Sequence, residues 1–170
     1  MVIWLVGLSG AGKTTIGRAL TTLWRHKEPQ TVLIDGDDIR KYFPERRDYE
    51  PYSLADRRAN AERIASMSLW LDQQSLNVVV SILCIFPDIL QENRVRFSNY
   101  FEVFVDAPFD QIKKRDPKGL YVGSVEGIID NVVGVDIPFP VPTNPDIVIN
   151  NSDQHHNANK HASRILEQIQ

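Results

Sequence analysis

A chain of 170 residues, 42% hydrophobic and 24% charged, carries enough apolar matter for one packed domain without help from a metal or a disulfide. Its net charge of −3 excludes, at the level of composition, the basic footprint of a nucleic-acid binder or a membrane-surface protein. A single cysteine, Cys84, excludes an internal disulfide and points to a reducing, cytoplasmic setting.

The opening run VIWLV (2–6) is apolar and β-branched, ends at Gly7, and is too short for a signal peptide or a membrane span; it reads as a buried strand. A helix is expected from Thr14 to about His26, then a strand over TVLID (31–35) that ends in Asp35-Gly36-Asp37-Asp38-Ile39-Arg40. Ser53 opens a second helix to about Gln74, with Asp56 three residues on as a variant capping box. A strand over NVVVSIL (77–83), a helix over 88–97, a strand over YFEVFVD (100–106) and a helix over 109–115 follow. The glycine- and proline-rich segment 116–145 reads as a lid and loop within the domain rather than a boundary, before a strand over DIVIN (146–150) and a helix over 157–170. Strands this continuously apolar, alternating with helices, predict an α/β domain spanning 1–170: a five-stranded parallel sheet with helices on both faces. Ligands of such sheets bind at the carboxyl ends of the strands, so the chemistry belongs in the loops after Val6, Ile34, Leu83 and Val105.

Gly7-Leu8-Ser9-Gly10-Ala11-Gly12-Lys13-Thr14 fits G-x-x-x-x-G-K-[ST] between a strand and a helix. Gly7, Ser9, Gly10, Ala11, Gly12 and Thr15 present backbone N–H groups to nucleotide phosphates, Lys13 reaches the terminal ones, and the Thr14 hydroxyl can ligate Mg²⁺. The bland alternative is a glycine-rich turn with a fortuitous lysine. Asp35 at the next strand end can accept a hydroxyl proton or organise the magnesium shell, though such a cluster also suits a turn that caps a helix. Arg57 and Asn60 fall on one helical face, able to clamp an anionic substrate, where an ordinary solvated face is the competing reading. Arg115 and Lys118, in RDPKGLY (115–121), place two cations where a closing lid needs them.

Taken together and in this order, GLSGAGKTT, DGDDIR, DRRAN, FEVFVDAP and RDPKGLY resemble the adenylylsulfate kinase family over roughly residues 3–150. The resemblance implies a three-layer P-loop kinase fold with a lid, and transfer of the γ-phosphoryl of MgATP to the 3′-hydroxyl of a small nucleotide. It implies Asp35 near the reacting hydroxyl, Asp37, Arg40, Arg57 and Asn60 on the acceptor, Arg115 and Lys118 on the lid, and a homodimer. Departures from the family pattern concern the acceptor. Tyr52 stands where the family has a phenylalanine against the base. Asn131-Val132-Val133-Gly134 replaces its GFTG loop, so one aromatic face is lost. Its SFISPY becomes Ser81-Ile82-Leu83-Cys84-Ile85-Phe86-Pro87, which puts Ile82 and Leu83 beside the acceptor and Cys84 where many bacterial members have a phosphorylatable serine. A branch of the family that phosphorylates cytidine 5′-diphosphoramidate is similar to such a variant, and this pyrimidine acceptor is placed slightly ahead of adenylyl sulfate. A GTPase-type switch is the competing class, but Asn159-Lys160-His161-Ala162 lacks the final aspartate of N-K-x-D. His155, His156 and His161 read as a polar linker and terminal helix, without a metal role.

Overall fold

The computed structural model describes residues 1–43, 50–116, 118–152 and 157–169. In chain order the elements are β1 (Val2–Val6), α1 (Lys13–Arg25), β2 (Thr31–Asp35), α2 (Gly36–Tyr42), α3 (Leu54–Asp72), β3 (Asn77–Ile82), α4 (Pro87–Arg96), β4 (Tyr100–Asp106), α5 (Phe109–Arg115), α6 (Leu120–Val125), β5 (Ile147–Asn150) and α7 (Ala158–Gln168). The strands form one sheet in the order β2-β3-β1-β4-β5, every pairing parallel. The doubly covered α/β fold anticipated from the strand pattern is thus the one observed.

Alternation along the strands divides the core into two layers. Ile3, Leu5, Val79, Val103 and Val105 face one way and pack with Ile16 and Leu20 of α1 and Ile165 of α7. Val2, Trp4, Val6, Val78 and Val80 face the other way, against Ala61 and Ile64 of α3 and Ile89 and Leu90 of α4. β1 lies in the middle and is fully buried along its length, because both of its faces are covered and both of its edges are paired. Burying each Val, Leu or Ile side chain contributes about 1.5–3 kcal/mol, so these layers fix the sheet against which the loops are held.

Two helices depart from the expected pattern. The cluster Asp35–Arg40, for which a helix-capping turn is the alternative reading, forms a helix in its own right, α2, and Asp35 is its N-cap: its carboxylate accepts from the Asp37 N–H at 2.9 Å. Within the segment expected to be lid and loop only, α6 forms because the Asp116 carboxylate accepts from the N–H groups of Leu120, Tyr121 and Val122 at 2.9, 3.0 and 3.1 Å. The capping box at Ser53 is half realised. Ser53 Oγ accepts from the Asp56 N–H at 3.3 Å, but the Asp56 carboxylate turns to the Tyr52 N–H at 3.0 Å and to Arg40.

Candidate active site

The loop between β1 and α1 is shaped by three different demands. Gly7 is buried where a Cβ would meet the Val105 carbonyl oxygen at 2.4 Å, so β4 requires that glycine. Gly10 and Gly12 sit at φ 78° and 101°, in the left-handed region that side chains other than glycine avoid. Gly12 also caps α1 with no side chain, which leaves the first N–H groups of a 13-residue helix for an anion. Lys13 folds back and donates from Nζ to the Leu8 carbonyl at 2.7 Å. Burial lowers its pKa from 10.5 to about 8, against the opposing pull of Asp37 and Asp35.

The two acids after β2 are placed differently. Asp35 is buried with both oxygens engaged: Oδ2 accepts from the Thr14 hydroxyl at 2.6 Å and Oδ1 from the Asp37 N–H at 2.9 Å. Asp37, half exposed, accepts from Lys118 Nζ at 2.6 Å, a contact that joins the lid to α2 across 81 residues of chain.

Arg40, Tyr52 and Arg57 form a cationic corner. The Arg40 guanidinium pairs with the Asp56 carboxylate and lies 5.0 Å from the centre of the Tyr52 ring. Arg57 lies 5.5 Å from the same ring and donates to two backbone carbonyls, Tyr52 at 2.8 Å and Asn131 at 2.7 Å. Burial, and then Arg40 beside it, lowers the Arg57 pKa. Tyr52 and Asn131 hold φ of 60° and 63°, a left-handed conformation that asparagine tolerates but tyrosine seldom adopts, and each gives Arg57 a carbonyl. Asn60, on the next turn of α3, donates to the Gly36 carbonyl at 3.4 Å, and its Oδ1 is buried without a partner among the described residues.

The structure gathers these groups around one cavity of about 500 Å³. Ser9, Gly10, Gly12, Lys13, Thr14 and Thr15 line one side, Asp35, Asp37, Arg40, Tyr52, Arg57 and Asn60 the other, and Ile82, Leu83, Arg115, Lys118, Val132 and Val133 complete it. Of the anticipated site residues, only Gly7 and Ala11 lie behind this surface. Arg115 ends α5, the helix expected over 109–115, and turns toward the P-loop, with the Gly10 carbonyl at 3.5 Å and the Asn151 carbonyl at 2.9 Å. Val132 is only 4% exposed and belongs to the α1-side core as much as to the cavity. Cys84, the residue after Leu83, is buried, its Sγ 3.8 Å from the Phe86 carbonyl, and burial pushes its thiol up to about 11. That is the environment of an inert thiol. His155 and His156 lie outside the described residues, and His161 sits on α7.

The family sequence model described as Adenylylsulphate kinase matches residues 1–150. The chain belongs to that family. Within it, the sequence is 38% identical over 151 residues to a cytidine diphosphoramidate kinase of Campylobacter jejuni, covering 89% of this chain and 86% of the relative. It is 39% identical over 150 residues to an adenylyl-sulfate kinase of Pseudomonas aeruginosa, covering 87% and 75%. Among solved structures, an adenylylsulfate kinase of Mycobacterium tuberculosis in complex with AMPPNP and APS superposes with a TM-score of 0.83 at 27% identity, over 99% of this chain and 96% of that one.

Membership makes the chain an ATP-dependent phosphotransferase and its substrates nucleotides. Several cavity residues carried no motif signal. Ile129 and Asp130 line it from the segment ahead of Asn131, and Asn151 lines it from just beyond β5. A lone Asp-Asn pair or an Asn-Asn after a strand looks like ordinary turn chemistry, so only the fold brings them to the site. Among the described residues no helix is long and apolar enough to cross a membrane.

Proposed function

We propose that the chain transfers the γ-phosphoryl of MgATP to the ribose 3′-hydroxyl of a nucleotide with a 5′ anhydride-like tail. Cytidine 5′-diphosphoramidate stands ahead of adenylyl sulfate as the acceptor. The observation that carries this order is the asymmetry of the acceptor side. Tyr52 is the one aromatic side chain among the described lining residues, and the other wall offers Val132 and Val133 instead of a ring. Stacking on an aromatic is worth about 1–3 kcal/mol per base, so a pocket with one ring surrenders part of what a purine gains. The Campylobacter and Pseudomonas relatives match at 38% and 39% identity, so the order of acceptors rests on this wall of the cavity.

In the reaction the 3′ oxygen attacks the γ-phosphorus, the bond from that phosphorus to the bridging oxygen breaks, and ADP leaves. We assign the hydroxyl proton to Asp37, since Asp35 already uses both oxygens. Lys118 reaches the transferred group by releasing Asp37, which bares the carboxylate as the cation moves. Lys13 meets the same developing charge from the P-loop. Arg40 and Arg57 face the anionic tail. Thr14 Oγ and Asp35 Oδ2, 2.6 Å apart, form the hard oxygen set that Mg²⁺ accepts alongside phosphates. When bound there, the ion neutralises charge shared between the β- and γ-phosphates. A homodimer, implied by the family resemblance alone, is checked by light scattering.

The reading for adenylyl sulfate rests on the Pseudomonas relative and keeps every catalytic assignment unchanged. Kinase assays with both acceptors at saturating MgATP, with phosphorus NMR of the product, test the proposal. A 3′-phosphorylated cytidine product formed at the higher kcat/KM is expected. Turnover of neither nucleotide would overturn it, and a strong preference for adenylyl sulfate would reverse the order.

A further inference from the structure

The P-loop turns its N–H groups inward only if its carbonyls are held outward, because the C=O and the following N–H of a trans peptide point in opposite directions. Four consecutive carbonyls of this loop each have a donor. Leu8 accepts from Lys13 Nζ at 2.7 Å, Ser9 from the Tyr121 hydroxyl at 2.9 Å, Gly10 from Arg115 at 3.5 Å and Ala11 from Asn151 Nδ2 at 2.7 Å. The first of these is internal to the loop, and Lys13 leaves it when it meets phosphate. The other three come from outside: the lid helix α6, the end of α5 and the residue after β5.

We propose that Tyr121 and Asn151 are positioning residues for nucleotide phosphate, holding the Ser9 and Ala11 peptides so that the Gly10 and Gly12 N–H groups face the cavity. Those two N–H groups have no partner among the described residues, as donors kept for a ligand should. Both side chains are buried and fixed. Tyr121 is 2% exposed and packs edge-on against Phe109, ring centres 5.4 Å apart. Asn151 is 2% exposed, and its backbone is tied on both sides, N–H to the Asp106 carbonyl at 2.7 Å and C=O to Arg115 at 2.9 Å. Its amide nitrogen also stands where a Cβ on Gly12 would come within 2.3 Å, so glycine at this position makes room for the brace. Burial raises the Tyr121 pKa to about 12, which keeps its hydroxyl a donor throughout the neutral range. Since Tyr121 belongs to the lid helix, displacement of α6 loosens the Ser9 peptide, and the phosphate site is complete only while α6 is seated.

The test uses magnesium tripolyphosphate, which has the phosphates of the donor and no base, so it is independent of the acceptor. Calorimetry on Tyr121→Phe should show tripolyphosphate and MgATP both weakened about 3- to 10-fold, the loss of one neutral hydrogen bond, with the ligand-free melting temperature within a few degrees of the parent. Asn151→Asp, the same shape with an acceptor facing the Ala11 carbonyl, should weaken both ligands by a larger factor. In steady-state assays the loss should appear in the KM for ATP and spare the acceptor's KM. Unchanged tripolyphosphate affinity in a folded Tyr121→Phe protein overturns the inference for Tyr121, and in folded Asn151→Asp for Asn151. Should either variant fail to fold, the other decides, and loss of acceptor affinity equal to the loss for tripolyphosphate would mark the contact as general packing.

Discussion

Lys13 is held out of water before any nucleotide arrives, and this has a readable consequence in pH. Burial sets its pKa at about 8 in the ligand-free protein, against 10.5 for an ordinary lysine. Between those values the unfolded chain keeps a proton that the folded one has lost, so this group adds to stability as pH rises from 8 to 10.5. Nucleotide phosphates reverse the balance by favouring the ammonium. MgATP binding should therefore take up a proton above pH 8 and weaken as pH climbs, seen by calorimetry at pH 9 in two buffers of different ionisation enthalpy. Equal heats in both buffers would show Lys13 charged throughout. The acids part in the same way. Asp37→Asn should cut turnover by two or more orders of magnitude with little change in the KM for ATP, because a proton acceptor acts on the path to the transition state. Asp35→Asn, by replacing one of two engaged oxygens with an amide, should instead raise the Mg²⁺ concentration needed for half-maximal rate. If both variants show the same magnesium dependence as the parent, the division of labour between them is wrong.

At the scale of elements, Asp116 decides whether the lid has a helix at all. Its carboxylate serves three N–H groups at the start of α6, a helix too short to persist on propensity alone. Asp116→Ala should cost about 0.5–2 kcal/mol locally, seen as roughly 2- to 30-fold faster amide exchange over 120–125 and lower turnover, with the global melting temperature almost unmoved. Exchange in α6 no faster than in the parent would assign its order to packing of Tyr121 instead. The same helix shows where sequence reading falls short. The five strands and the longer helices were legible because buried parallel strands need unbroken apolar runs and their helices need long periodic ones. α2 and α6 begin on Asp-Gly and Asp-Pro-Lys-Gly, compositions that also make turns, which hid them although α5, as short as α2, was legible. The site followed a similar rule. Lys13, Thr14, Asp35 and Lys118 were visible because the spacing of their motifs carries the chemistry, whereas Tyr121 and Asn151 act through carbonyls 112 and 140 residues away, a relation only the fold creates.

For the molecule as a whole, the proposed acceptor choice depends on two walls brought together across the 74 residues of chain between Arg57 and Asn131: the start of α3 with Tyr52, and the 129–133 segment, bridged by Arg57 to the Asn131 carbonyl. The bridge fixes the gap between the walls, and Val132 sets what fills it. Val132 is 4% exposed and shares the core with Ala11, Ile112 and Tyr121, so a larger side chain there can keep its backbone only by sending its ring into the cavity. Val132→Phe should then give a purine a second surface, adding about 1–3 kcal/mol of stacking, roughly 5- to 150-fold in affinity, while crowding a pyrimidine already seated on Tyr52. The expected result is a shift in the ratio of kcat/KM toward adenylyl sulfate and away from the cytidine acceptor, with a modest fall in melting temperature from the added bulk. A wild-type protein that already prefers adenylyl sulfate, with a ratio unmoved in the variant, would mean that Arg40, Arg57 and Tyr52 hold the purine without a second ring, and the acceptor would be adenylyl sulfate.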